Sequence, residues 1–128
     1  MKKVMLFAAV LMIAASSVHS EEQAPRPENI FAIIHAPGEA WEEGVPFREQ
    51  PLVMLHVQYM MGLLEAGSLV VGGPFLDDSG GMAVVRASDL EAARKLASED
   101  PSVGAGLLTF QLKPWMIAMR DDDHDQED

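Results

Sequence analysis

Between Ile30 and Met119, prolines and glycines cut the chain into six segments, and the order of their periodicities leaves few folds open. IFAIIHA (30–36) is a β-rich run closed by Pro37-Gly38. PLVMLHVQYMMGLLEAG (51–67) has helical length, with Pro51 in its first turn and Gly67 as a stop. SLVVGG (68–73), ended by Pro74, and GMAVVRA (81–87) read as strands joined through the turn residues DDSGG (77–81), which makes a hairpin. Ser88-Asp89-Leu90-Glu91 is a capping-box signature opening a second helix, SDLEAARKLASE (88–99), which Asp100-Pro101 terminates. LLTFQLKPWMIAM (107–119) is the last strand, and Pro114 predicts an edge position or a bend there. The order β-α-β-β-α-β predicts an α+β, ferredoxin-like βαββαβ fold. With right-handed crossovers it becomes one four-stranded antiparallel sheet carrying both helices on a single face.

The free face of such a sheet should be wet and polar. IFAIIHA, SLVV and GMAVV are instead apolar on both alternating sets. The simplest cover is a second copy of the chain, so the expected assembly is a homodimer through the sheet.

The flanks bound where the domain works. Two lysines, an apolar run from Val4 to Ala15 and small residues through Val18 and Ser20 read as a secretory signal peptide over 1–20, cleaved after Ser20. The apolar run is shorter than the roughly 20 residues of a spanning helix, so the expected location is periplasmic or secreted, with no membrane attachment after cleavage. The chain has no cysteine, which excludes lipid attachment at the cleavage site and any disulfide. Two of the nine Lys and Arg residues are Lys2 and Lys3, so the mature chain carries seven against 20 acids, a net charge of −13. Nucleic acid and anionic membranes are therefore poor partners. Residues 21–28 form a linker and 29–120 one compact domain. The final DDDHDQED, 121–128, is an expected disordered acidic tail in which nothing fixes ligand geometry around His124.

Chemistry concentrates at one end of this topology. If the first strand runs up, the top gathers His35, the 37–50 loop, the start of the first helix, Gly73-Pro74, the DDSGG turn and the end of the second helix. On a helical wheel Leu52, His56, Tyr59 and Leu63 share a narrow inward stripe, with Gln58 and Glu65 opposite. An imidazole buried without a partner costs about 1–3 kcal/mol. Asp100, brought alongside by antiparallel helix packing, is the candidate partner of His56. At the C-terminal end of a helix a carboxylate opposes the helix dipole, which makes Asp100 locally unfavourable and marks it as a site candidate. Simpler readings stand beside these. Before any partner is considered, His56 reads first as a satisfied core histidine and Tyr59 and Trp41 as packing residues, Gly73-Pro74 on its own is a turn, and Asp100-Pro101 reads equally as a turn starter.

His56, Gly67, Gly73-Pro74, Asp100-Pro101-x-Val-x-Ala-Gly and Lys113-Pro114-Trp115 together resemble the YCII-related (YciI) family over about residues 29–116. The loop PGEAWEEGVPFREQ and the stretch PFLDDSGGMAV resemble a subgroup in which His35, Trp41 and the DDSGG turn belong to the pattern. The resemblance implies a dimeric α+β barrel, a His/Asp active-site pair carried onto His56 and Asp100, and relatives that act without a cofactor on chlorinated or hydroxylated aromatic breakdown products. The export signal is a departure, since many relatives look cytosolic.

Two functions follow. The first is a cofactor-independent lyase or isomerase. Asp100 fixes the tautomer of His56, which moves a proton on a small, cyclic or aromatic metabolite. Tyr59 and His35 hydrogen-bond a substrate oxygen, Gly73 and Pro74 border the site, and Trp41 and Phe47 form an apolar lid. The alternative is a non-catalytic small-ligand-binding or stress-response module. A cavity reaching the His56 ring distinguishes the first from a sealed structural histidine. The chain carries no phosphate-loop, nucleophile-elbow or Cys/His metal motif, and no metal is expected at His35, His56 and Asp100, although two imidazoles and a carboxylate are a possible ligand set.

Overall fold

A computed structural model describes residues 29–121. The expected signal peptide, the linker and all but the first residue of the acidic tail lie outside the described residues. Strand β1 (Ile30–Pro37) leads through a loop, containing one 3-10 turn at Phe47–Glu49, into helix α1 (Val53–Glu65). Strands β2 (Leu69–Pro74) and β3 (Gly81–Arg86) follow, then helix α2 (Leu90–Ser98), a single-turn helix α3 (Pro101–Gly104) and strand β4 (Leu108–Trp115). The sheet order is β2-β3-β1-β4 with every neighbour antiparallel, the ferredoxin-like arrangement. Pro114 sits on β4, an edge strand, where a missing N–H is tolerated.

Register decides which residues meet the helices. Ile33 pairs with Ala83 on one side and Leu112 on the other, and Phe31 with Val85, so one face presents Phe31, Ile33, Ala83 and Val85. Ala93 and Ala97 of α2 pack onto it, both fully buried, their small side chains letting the helix approach closely. Each large apolar side chain buried here contributes about 1.5–3 kcal/mol. On the alternate face Ile30, Ala32 and Val84 are also buried, while Val71, Met82 and Trp115 are exposed beside Arg86 and Lys113. That face is largely apolar, as the strand pattern predicts.

Four local expectations are corrected. The capping residue of α2 is Asp89, whose carboxylate accepts from the Ala92 backbone N–H, and not Ser88. Helix α1 begins two residues after Pro51, because Leu52 takes a left-handed φ of 67° as its N-cap. Leu52 therefore leaves the inward stripe and is half exposed. Helix α2 ends at Ser98, and Asp100 is the N-cap of α3, with Pro101 opening that turn and the Ser102 backbone N–H donating to its side chain. The carboxylate is thus at a helix N-terminus, where it is favoured, and the supposed conflict with a dipole disappears.

Candidate functional site

Three elements deliver the polar side chains of the rim. His35 is near the end of β1, on the face that carries Ile33, opposite Gly81 and Phe110. His56 is the fourth residue of α1, and Asp100 caps α3. His56 Nδ1 lies 2.6 Å from Asp100 Oδ2, with side chains 13% and 0% exposed. The second carboxylate oxygen, Oδ1, accepts from the Ser102 backbone N–H at 2.9 Å and from its hydroxyl at 2.7 Å. Burial pushes the Asp100 carboxyl upward, but the hydrogen bonds from His56 and Ser102 outweigh it and hold its pKa below the usual value. An ionised carboxylate only accepts, so His56 Nδ1 carries the proton and donates it.

His35 has a different environment. Its ring meets that of His56 edge-on, with centroids 4.9 Å apart, and its Nε2 is buried without a hydrogen-bond partner. Burial, with the neighbouring His56 adding to it against the opposing pull of Asp100, lowers its pKa from 6.5 to about 4. His35 is neutral at neutral pH.

The DDSGG turn and the 37–50 loop close over this pair. Gly80 has φ of +135°, and a Cβ there would overlap the His35 carbonyl oxygen, so the hairpin lies against the end of β1 only because the residue is glycine. Asp78 accepts from the Phe47 backbone N–H at 3.1 Å, tying the hairpin to the loop. Buried Gln50 bonds Glu42 N, Glu42 O and Val45 O, which folds the loop on itself. Phe47 is thereby set edge-on to His56, at 6.0 Å, and to Trp41, at 5.4 Å.

Between α1 and the β2–β3 half of the sheet lies a cavity of about 470 Å³. Its wall is mainly apolar, built from Val53, Val57, Met60, Leu64, Leu69 and Ala83, and it reaches both histidine rings. His35, His56, Gly73 and Pro74 line it. Asp100 stands behind His56. Trp41 packs against Phe47 without lining the cavity, and Tyr59 lies elsewhere, its hydroxyl donating to Leu96 O of α2 at 2.6 Å. Burial, followed by Glu99 and Asp100, raises the Tyr59 pKa, so that proton stays in place.

Three contributors escaped the sequence reading. Ser102 was signalled by Asp-Pro-Ser, the pattern of an N-cap followed by proline. Arg48, which lines the cavity, is the one basic residue of the 37–50 loop. Asp78 left no signal beyond a turn. His35, His56 and Asp100 each offer a ligand atom, all within 4.8 Å of one another, as a metal site would need. A metal held by His56 Nδ1 and Asp100 Oδ2 would have to displace the 2.6 Å hydrogen bond between them.

The model of the YCII-related domain matches residues 30–116, and the chain belongs to that family. The uncharacterized protein YjpA of Bacillus subtilis (strain 168) is 32% identical over 62 residues, which are 48% of this chain and 73% of that protein. Among solved structures, 5-chloro-2-hydroxyhydroquinone dehydrochlorinase (TftG) of Burkholderia phenoliruptrix AC1100, in complex with 2,5-dihydroxybenzoquinone, is similar with a TM-score of 0.53 and 21% identity. That similarity covers 67% of this chain and 92% of TftG, and at this identity it speaks for the fold alone.

Proposed function

We propose that the protein is a lyase or isomerase that needs no cofactor and uses His56 and Asp100 as a general acid–base pair on a small ring compound. The observation that carries this reading is the 2.6 Å bond from His56 Nδ1 to a fully buried carboxylate, on a ring that also lines an open cavity. With Nδ1–H donated to Asp100, the lone pair of Nε2 is free for the cavity, and the carboxylate stabilises the imidazolium formed when that nitrogen takes a proton. A proton taken from a hydroxyl, or from a carbon beside a carbonyl, leaves its electron pair on the substrate. That pair either shifts the double bond, with the proton returned at another atom, or expels a leaving group as its anion. TftG, which shares the fold, is a dehydrochlorinase bound to a hydroxylated quinone, and the substrate class proposed here is taken by analogy with it.

The tests are direct. Asp100→Asn keeps the Ser102 contacts but offers an amide N–H to His56 Nδ1, which moves the imidazole proton to Nε2 and removes the base. Turnover of hydroxylated quinones or lactones should fall by a factor of about 10² to 10⁴. Stability should change by only about 1 kcal/mol. His56→Ala should lose activity likewise. Strong destabilisation of both single variants, coupled in the double variant and with no effect on any ligand, would make the pair structural.

Two further readings belong to this function. The exposed Val71, Met82 and Trp115 on the outer sheet face support a homodimer, which light scattering at micromolar concentration checks. The signal-like start supports export, and intact mass from the native compartment should show a mature chain beginning at Glu21.

A further inference from the structure

The chain carries 20 acidic residues against nine basic ones, and four of those acids, Glu39, Glu42, Glu43 and Glu49, lie in the loop beside the cavity. None of them lines it. Apart from the two histidines, the one ionisable side chain in the wall is a cation, Arg48, which is exposed and has no ion-pair partner among the described residues. At the other end of the polarity scale stands His35, 2% exposed, with its Nε2 unpaired. All other lining side chains are apolar. A cavity with a cation at its exposed edge, a buried imidazole in its wall whose Nε2 has no partner, and hydrocarbon between them describes its ligand from the inside.

We propose that this cavity selects a small organic monoanion, a single carbon ring or its equivalent, whose carboxylate or other anionic oxygen pairs with Arg48 at the mouth while a hydroxyl or carbonyl group bonds His35 Nε2 at the floor. The proposal rests on the acid–base reading above and adds to it the class of ligand and two specificity-determining residues. Its physical basis is threefold. A guanidinium presents a planar fork suited to a carboxylate. A buried nitrogen without a partner is a cost to the free protein, which a ligand hydroxyl or carbonyl relieves, according to the tautomer His35 adopts. The volume, about 470 Å³, falls within the roughly 300–1,000 Å³ of small-molecule sites and accommodates a ring with its substituents. A strongly acidic chain would otherwise repel such an anion, which gives the lone cation its weight. His35 is a neutral hydrogen-bonding group here, so it imposes no charge of its own on the ligand.

The experiment uses the purified full-length chain and four probes: 4-hydroxybenzoate, 4-hydroxybenzamide, benzoate and hydroquinone, each titrated by calorimetry or by melting shift. The native protein should prefer 4-hydroxybenzoate to its amide by about five- to tenfold, the size of one partly exposed ion pair. In Arg48→Gln that preference should collapse to near unity with the melting temperature of the free protein unchanged, and Arg48→Lys should keep part of it. His35→Phe should abolish the advantage of 4-hydroxybenzoate over benzoate while leaving the acid-over-amide ratio intact. Equal binding of acid and amide, a ratio that survives in Arg48→Gln, or a hydroxyl advantage that survives in His35→Phe would overturn the proposal and leave the acid–base function standing. Failure of every ring compound, hydroquinone included, to bind at millimolar concentration would overturn both.

Discussion

Both long helices pack on the same face of one sheet, yet one seam is filled and the other is open. Helix α2 meets the sheet through Ala93 and Ala97, so its backbone comes close and Phe31, Ile33 and Val85 are sealed beneath it. Helix α1 adds Met60 to the core on that face, while Val53, Val57 and Leu64 line a cavity of about 470 Å³ that remains between the helix and β2–β3. The difference is side-chain length. Alanines allow contact at the van der Waals limit, whereas long aliphatic and thioether side chains hold a helix off and line whatever space remains. The filled seam has only apolar groups to satisfy, and the open one contains the unpaired polar nitrogen.

The largest effect should come from the filled seam. Ile33→Ala removes a fully buried side chain from beneath α2 and should cost about 2–5 kcal/mol in urea denaturation, while leaving the relative affinities of ring ligands unchanged. A change in ligand preference comparable to that of a rim variant would show that the two seams are not independent.

A second prediction separates the seams by pH. His35 titrates at about 4 in the folded chain against 6.5 when unfolded. Its folded pKa is depressed, so between those values the unfolded chain binds more protons and stability falls as pH drops from about 6.5 to about 4. The loss is roughly 3 kcal/mol at most. Below about 4 this contribution is flat. Asp100, also held below its ordinary value, contributes stability that is present above that value and is lost as pH falls further through its folded pKa. Denaturation across pH 7 to 4 should show the first slope in the native protein and in Ile33→Ala, and His35→Phe should remove it. A slope that survives in His35→Phe would assign it to another group.

The smallest effect belongs to the side chain that joins the two helices. Tyr59→Phe deletes the bond to Leu96 O and should cost about 0.5–1.5 kcal/mol without altering ligand affinity, since Tyr59 does not line the cavity. A loss of ligand response in Tyr59→Phe would return the residue to the site.

How much of this was legible before folding depends on the range of each interaction. The six segments and Pro114 at an edge are written in local periodicity and turn chemistry, and the strands were read to within a residue except for the end of β4. Helix boundaries were less legible. Whether Ser88 or Asp89 caps α2, and whether Asp100 ends one helix or begins another, turns on backbone angles that neighbouring residues of similar capping propensity do not settle. Tyr59 shows the limit of a helical wheel: it gave the inward direction but could not distinguish a seam between helices from a cavity wall.

By itself, then, the sequence determined the order and type of the elements, the antiparallel sheet with an apolar outer face, the inward turn of His56 and the lack of any cysteine cross-link. These follow from interactions spanning one turn or one pair of strand residues. The pairing of His56 with Asp100, 44 positions away, was expected from the order of the elements and is present at 2.6 Å. The tertiary structure alone decided that Ser102 would hold the other oxygen of that carboxylate, that His35 Nε2 would be left unpaired, and that Arg48 rather than one of the loop's glutamates would line the cavity. Each of those outcomes depends on where a helix starts, how far side chains hold it from the sheet, and which way a loop closes. Those are properties of packing among distant segments, to which no single stretch of the chain has access.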